Sequence, residues 1–264
     1  MKKVFYLLTV FLILSFQLLP SSFTEDKKIE NLFEKNNFQG TFVLYDMSKD
    51  SFIGYNQKRA EKQFYPASTF KIYNSLIGLN TGVIKSVDEV FYNYKGEEVF
   101  LESWAQDSNL RYAIKVSQVP AYQLLARNIG IKKMKEEINN LNFGNKTIGN
   151  EIDKFWLQGP LKISAIEQCQ LLAKLATNKL PYNEIIQKQV QEITVLEKNE
   201  KWTLHGKTGW ATSNIETPVG WFVGWIEKDG KVYSFAINLD MKDRKDLPKR
   251  EAMAKEALKI LNII

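Results

Sequence analysis

Apolar and polar positions fall into distinct regimes along the chain. From Val4 to Leu19 apolar residues run almost without a break. Ile29 to Lys35 has the spacing of a short amphipathic helix. Gly40-Thr-Phe-Val-Leu-Tyr-Asp46 and Ser51-Phe-Ile-Gly-Tyr55, parted by Met47-Ser-Lys-Asp50, predict a β-hairpin. From Ser68 to about Gln191 the apolar residues recur at three- and four-residue intervals, predicting helices over 68–79, 101–115, 120–129, 131–141, 164–177 and 183–193. Pro120 suits a first helical position and Ser164 an N-cap. After 193 the strand period returns in Lys201–Thr208, Val219–Ile226 and Lys231–Asn238, the last two joined by Lys228-Asp-Gly230. A closing helix is predicted from about Asp246 to Asn262. Neither repeats nor a low-complexity linker intervene. The expectation is an α/β chain of the α+β type. Both ends build one antiparallel sheet flanked by helices, and a mainly helical lobe at about 68–192 is inserted in it.

The first apolar run changes the picture of the cellular address. Met1-Lys-Lys3 is a basic start, and Pro20-Ser-Ser-Phe-Thr24 supplies small residues before the charged Glu25-Asp-Lys-Lys28. This is the layout of a secretory signal peptide over about 1–24, leaving 25–264 as a single domain. An uncleaved anchor is the alternative reading. No later stretch is apolar for long enough to cross a bilayer, so no membrane association is expected once the leader is removed. The expected location is therefore periplasmic or secreted.

Composition adds exclusions. A chain of 264 residues with 44% hydrophobic and 25% charged residues is ordinary globular protein with ample core. The net charge of +6 includes both lysines of the leader. The remaining basic residues are scattered, with no aromatic-interleaved stripe, which argues against nucleic acid as a partner. The one cysteine, Cys169, has no partner for an internal disulfide and lies in the helical pattern Ile166–Ala173, as a small core residue does. One histidine and one cysteine make no zinc set.

The candidate chemistry centres on Tyr65-Pro-Ala-Ser-Thr-Phe-Lys71. Tyr65-Pro66 favours extended or turn backbone before the tetrad, and the apolar 72, 76 and 79 continue it as a helix. Ser68 then lies in a first turn, where free N–H groups and the helix dipole favour negative charge. Lys71 shares its face. A hydroxyl beside an amine is a nucleophile with a base at hand. On its own, Ser-x-x-Lys is equally a capping serine and a solvated lysine. Two further pieces follow in order: Ser117-Gln-Val119 between two helices, and Lys207-Thr-Gly209 on a strand. The second serine can relay a proton to a leaving nitrogen. The lysine supplies charge, Thr208 a hydroxyl, and Gly209 close approach to the backbone. The three together are the signature of penicillin-recognising serine enzymes.

On these residues the chain resembles the class D serine β-lactamases, the oxacillinase family. Phe143-Gly-Asn145, Phe155-Trp-Leu157, Gly159-Pro-Leu-Lys-Ile-Ser164, Gly220-Trp-Phe-Val-Gly-Trp225 and Arg250 extend the likeness over nearly the whole mature chain. It implies the serine β-lactamase and penicillin-binding transpeptidase-like fold, and hydrolysis of the β-lactam ring of penicillins through a serine acyl-enzyme. Phe143 departs from the usual tyrosine, so no hydroxyl role is implied there. No Glu precedes Leu-Asn at the class A spacing, Phe143 removes a class C tyrosine base, and His205, beside Lys207, reads as packing. Lys71 remains as the base.

An ordinary lysine, with a pKa of about 10.4, is a poor base at neutral pH; apolar surroundings disfavour its charged form. The resemblance implies that Lys71 takes up CO2 as a carbamate, dried by Val119 and Phe70 and held by the Trp156 indole N–H. No dissociable cofactor is expected beyond that CO2 or bicarbonate. It further implies an oxyanion site at the N–H groups of Ser68 and Trp210, and proton transfer through Ser117 and Lys207. Substrate carboxylate would meet Lys207, Thr208 and Arg250, whose planar guanidinium suits it. A penicillin-binding sensor and a transpeptidase share the signature, and homodimerisation is left open. Substrate preference would depend on loops near Trp104, Tyr112 and Trp210.

Overall fold

The two ends of the chain meet in one sheet. A computed structural model describes residues 22–213 and 215–264; most of the leader reading lies outside them. Among the described residues, strands β1 (Ser22–Glu25), β2 (Gly40–Asp46), β3 (Ser51–Tyr55), β4 (Val195–Lys198), β5 (Thr203–Ala211), β6 (Val219–Lys228) and β7 (Lys231–Asp240) form a single sheet. Their order is β1-β3-β2-β7-β6-β5-β4. All neighbours are antiparallel except β1, which runs parallel to β3. The sheet begins at Ser22, so the folded unit takes in residues that the leader reading assigned to removal. Glu25 fixes this strand by accepting the backbone N–H groups of Asn56 and Gln57.

The central strands are apolar on both sides because both faces of the sheet are covered. In β2, Phe42 and Leu44 point to one face, Val43 and Tyr45 to the other. The first face packs on the terminal helices α1 (Lys27–Asn36) and α9 (Lys249–Ile260), through Phe33, Phe235, Ile237, Met253 and Leu258. Asp26 starts α1 by accepting the N–H groups of Lys28 and Ile29 at 2.8 and 3.1 Å.

The second face carries the helical lobe. After the short α2 (Gln57–Glu61) come α3 (Lys71–Asn80), α4 (Leu110–Lys115), α5 (Val119–Ile129), α6 (Ile131–Leu141), α7 (Ala165–Ala176) and α8 (Glu184–Ile193). α7 lies against β7 and β2, and its start is a reciprocal capping box between Ser164 and Glu167. The helix expected over 101–115 is instead a single turn at Glu102–Trp104 and the six-residue α4. Trp104 is held there by side chains: its Nε1 donates to Val116 O at 3.0 Å, and Gln118 Nε2 donates to Trp104 O at 2.8 Å. No described helix is long and apolar enough to cross a membrane.

Candidate active site

The segment before Ser68 is pinned from three sides. Trp221 Nε1 on β6 donates to Tyr65 O at 3.0 Å, and Ala67 N donates to Trp156 O at 2.9 Å. Thr69 Oγ1 donates to Pro66 O at 2.8 Å and receives the Gln168 amide of α7 at the same distance. Ala67 is held at φ 48°, left-handed backbone that is costly for a side chain with a Cβ. Ala67–Phe70 is a 3-10 turn running directly into α3, so Ser68 sits in a first turn as the sequence suggested.

Lys71, the first residue of α3, is completely buried. Its Nζ is 2.6 Å from Ser68 Oγ and 3.3 Å from Ser117 Oγ. Behind it lies an aromatic wall. The Phe70 ring meets Phe143 at 5.3 Å, Phe155 at 5.2 Å and Trp156 at 5.8 Å between centroids, and all four are fully buried. Tyr122, which sequence reasoning missed, offers its ring face 5.5 Å from Nζ and ties its hydroxyl to Ser75. Among the described residues no carboxylate pairs with Lys71. Burial first, and the Lys207 charge second, hold its ammonium well below the ordinary value of 10.5. That shift favours the uncharged amine, the form able to take a proton. Trp156 Nε1 is buried with no partner among the described residues.

Ser117 turns the corner between α4 and α5 at φ 55°. This left-handed turn aims its Oγ between two lysines: Lys207 Nζ on β5 lies 3.0 Å away. Lys207 is buried, and desolvation followed by the Arg250 charge brings it down to about 7. Gly209 has a reason that the sequence did not reveal. A Cβ there would come within 2.9 Å of Pro66 O and 3.0 Å of Thr69 Cγ2, so its absence lets β5 lie against the nucleophile turn. Arg250 in α9 donates from Nη1 to Gly209 O and from Nε to Leu247 O, both at 2.7 Å.

A cleft of about 240 Å³ opens on this group. Ser68, Ser117, Val119, Thr208, Gly209, Trp210 and Arg250 line it, with Leu157. The fold thus brings together the candidate residues, while Lys71, Lys207 and Trp156 lie beneath the surface. Of the loop residues expected to shape it, Trp104 does line the cleft. Tyr112 does not: its hydroxyl donates to Ser103 O. A cleft of about 310 Å³ beside Arg59 and Tyr65 is larger but contains neither Ser68 nor either lysine. His205 stacks on Trp225 at 4.2 Å and meets Gln191 O through Nδ1, away from Ser68. Cys169 is buried, its thiol 3.7 Å from Val43 O.

Known proteins resemble the chain over most of its length. The family model of the penicillin-binding protein transpeptidase domain matches residues 29–259. The chain is 40% identical to β-lactamase OXA-48 of Klebsiella pneumoniae over 99% of both chains. It is 40% identical to a probable β-lactamase, YbxI, of Bacillus subtilis, covering 78% of this chain and 76% of that one. A crystal structure of FUS-1 (OXA-85), a class D β-lactamase from Fusobacterium nucleatum subsp. polymorphum, is 58% identical. It superposes with a TM-score of 0.90 over 91% of this chain and all of that one. With Ser68 in the cleft beside the buried Lys71, a serine bridging two lysines, and this likeness over nearly its whole length, the chain belongs to the class D serine β-lactamases of the penicillin-binding transpeptidase fold.

Proposed function

We propose that the protein hydrolyses the β-lactam ring of penicillin-type antibiotics through an acyl-enzyme on Ser68, and so confers resistance. The observation that carries this reading is the wholly buried Lys71 amine 2.6 Å from Ser68 Oγ, with no carboxylate paired to it among the described residues. As the Oγ–H proton passes to the Lys71 side, Oγ bonds to the lactam carbonyl carbon. The backbone N–H groups of Ser68 and Trp210 receive the oxyanion. Ser117, between the two lysines, hands a proton from Lys207 to the lactam nitrogen as the C–N bond breaks. Lys207, Thr208 and Arg250 hold the substrate carboxylate at the far end of the cleft, with charge-assisted bonds that fix the ring against Ser68. Water then releases the acyl group.

The family implies a carbamate, made from CO2, on Lys71. The residues present fit it: a neutral buried amine is its precursor, and the unpartnered Trp156 Nε1 is a donor in the same aromatic wall. Val119 and Phe70 would keep water from it. When bound, the group supplies an anionic oxygen base for both acylation and deacylation. The leader reading places the enzyme outside the cytoplasm, as a periplasmic or secreted protein. Because β1 starts at Ser22, N-terminal sequencing of the exported chain should begin at or before that residue.

Purified protein given a chromogenic cephalosporin should turn over many equivalents. A slowly released penicillin should add one drug mass to the peptide containing Ser68 and none to Ser68→Ala. A single stoichiometric burst without turnover would instead make it a penicillin-binding sensor, and transfer to an added amine a transpeptidase.

A further inference from the structure

The mouth of the cleft carries a contact that the reaction above does not use. Phe100 is 66% exposed. It packs on Trp104 with ring centroids 6.1 Å apart. The Arg244 guanidinium lies over its face, 4.9 Å from the ring centre. Phe100 belongs to the long segment before α4, and Arg244 to the Arg244–Asp246 turn between β7 and α9. Both residues line the cleft. Two loops far apart in sequence therefore meet across its opening.

Arg244 is bound to the carboxylate end of the cleft through a short run of backbone. Leu247 N donates to Arg244 O at 3.1 Å, and Leu247 O receives the Nε of Arg250. Among the described residues no carboxylate forms an ion pair with Arg244. The neighbouring Asp243 and Asp246 cap their own turn instead. Among the described residues no Asp or Glu lines the cleft. This end of the cleft thus presents two guanidinium groups and an aromatic face already occupied by one of them; a substituent on the fused ring, next to the carboxylate, would enter here.

We propose that the Arg244–Phe100 pair is a specificity determinant that disfavours β-lactams bearing a cation on the fused ring and favours neutral or anionic substituents there. A cationic group entering this end meets Arg250, balanced in part by Glu251, and Arg244, which has no carboxylate paired to it among the described residues. It is also denied the Phe100 face, since Arg244 holds the place that a cation would take. The inference rests on the cleft being the acylation site proposed above.

The test uses two cephalosporins with the same acylamino side chain, one with a pyridinium-methyl and the other with an acetoxymethyl group on the six-membered ring. The readout is the ratio of their kcat/KM values, in which any loss of folded enzyme cancels. Arg244→Gln frees the Phe100 face and should raise the pyridinium-to-acetoxymethyl ratio about 2- to 5-fold, the worth of one exposed cation–π contact. Arg244→Lys keeps the charge and should stay near the wild-type ratio. In wild type, raising the salt concentration should move the ratio toward that of Arg244→Gln, because exposed charges are screened. A ratio unchanged in Arg244→Gln, or raised equally in Arg244→Lys, overturns the proposal. Failure of the acylation-site reading shows itself differently: Ser68→Ala would still turn over both compounds.

Discussion

Replacing Trp156 by Phe removes one N–H from a wholly buried site and leaves an aromatic ring in the wall formed by Phe70, Phe143 and Phe155. Without a modified lysine that N–H has no partner. A buried unsatisfied donor costs about 1–3 kcal/mol, so losing it offsets part of the packing lost with the smaller ring. With Lys71 carboxylated, the same N–H donates to an anion, a bond worth about 1.5–3 kcal/mol. The substitution should then weaken carboxylation about 10- to 150-fold, by the conversion of 1.4 kcal/mol per factor of ten. Enzyme stripped of CO2 at acid pH, returned to neutral and titrated with bicarbonate should regain turnover in both proteins. The half-saturating bicarbonate should lie 10- to 150-fold higher for Trp156→Phe. A carbon-13 carbamate signal from labelled bicarbonate should follow the same curve and be missing in Lys71→Ala. If wild-type turnover ignores bicarbonate, Lys71 works as a bare amine; if both proteins share one midpoint, the donor role of Trp156 is wrong.

Other expectations follow from the buried cations. Arg250→Ala should raise KM about 10- to 150-fold through one lost charge-assisted bond; because Arg250 also holds Gly209 O and Leu247 O, Tm should fall too, and an unchanged KM would leave the carboxylate to Lys207 and Thr208. Lys207, brought to about 7 by burial and Arg250, acts while protonated, so kcat/KM should decline as pH rises through about 7, and a profile flat to pH 9 would contradict its role. Lys71→Met should abolish turnover yet raise Tm in bicarbonate-free buffer. The depressed pKa of Lys71 means that the unfolded chain binds the extra proton at any pH between the folded value and 10.5, so the lysine lowers stability there. The gain in Tm should be largest near neutral and acid pH and fade as pH approaches 10.5. Equal Tm values at pH 7 would mean that the amine is not buried uncompensated.

The sequence announced the strands of the sheet's centre because apolar residues on both faces and clear turn residues bound them, as at Gly40–Asp46 and Ser51–Tyr55. It did not announce β1, hidden at the end of an apolar leader, or β4, whose four residues are all exposed on the sheet's edge. The motifs pointed to Ser68, Lys71, Ser117 and Lys207 because their chemistry requires fixed residue types at short spacings. Their supports left no such trace. Tyr122 and Gln168 reach the site only through tertiary contact, and no local period marks a residue that packs on a distant turn. Trp104 misled for the same reason: its apolar bulk counted toward a helix, while its hydrogen bonds held a loop.

The strand order makes this enzyme silent until almost the whole chain exists. β2 has β3 on one side and β7 on the other, with Gly40 opposite Leu239. An early β2–β3 hairpin is a two-stranded ribbon, marginal in water by itself. Closing a loop of that length costs roughly 5 kcal/mol of chain entropy, recovered only when β7 and β6 zip in together. β5, which brings Lys207 to Ser117, docks on β6 and so arrives in the same event. A growing chain therefore carries Ser68 and Lys71 for most of its length without Lys207 opposite them. The site is complete only once α9, which follows the last strand and carries Arg250, packs on the sheet.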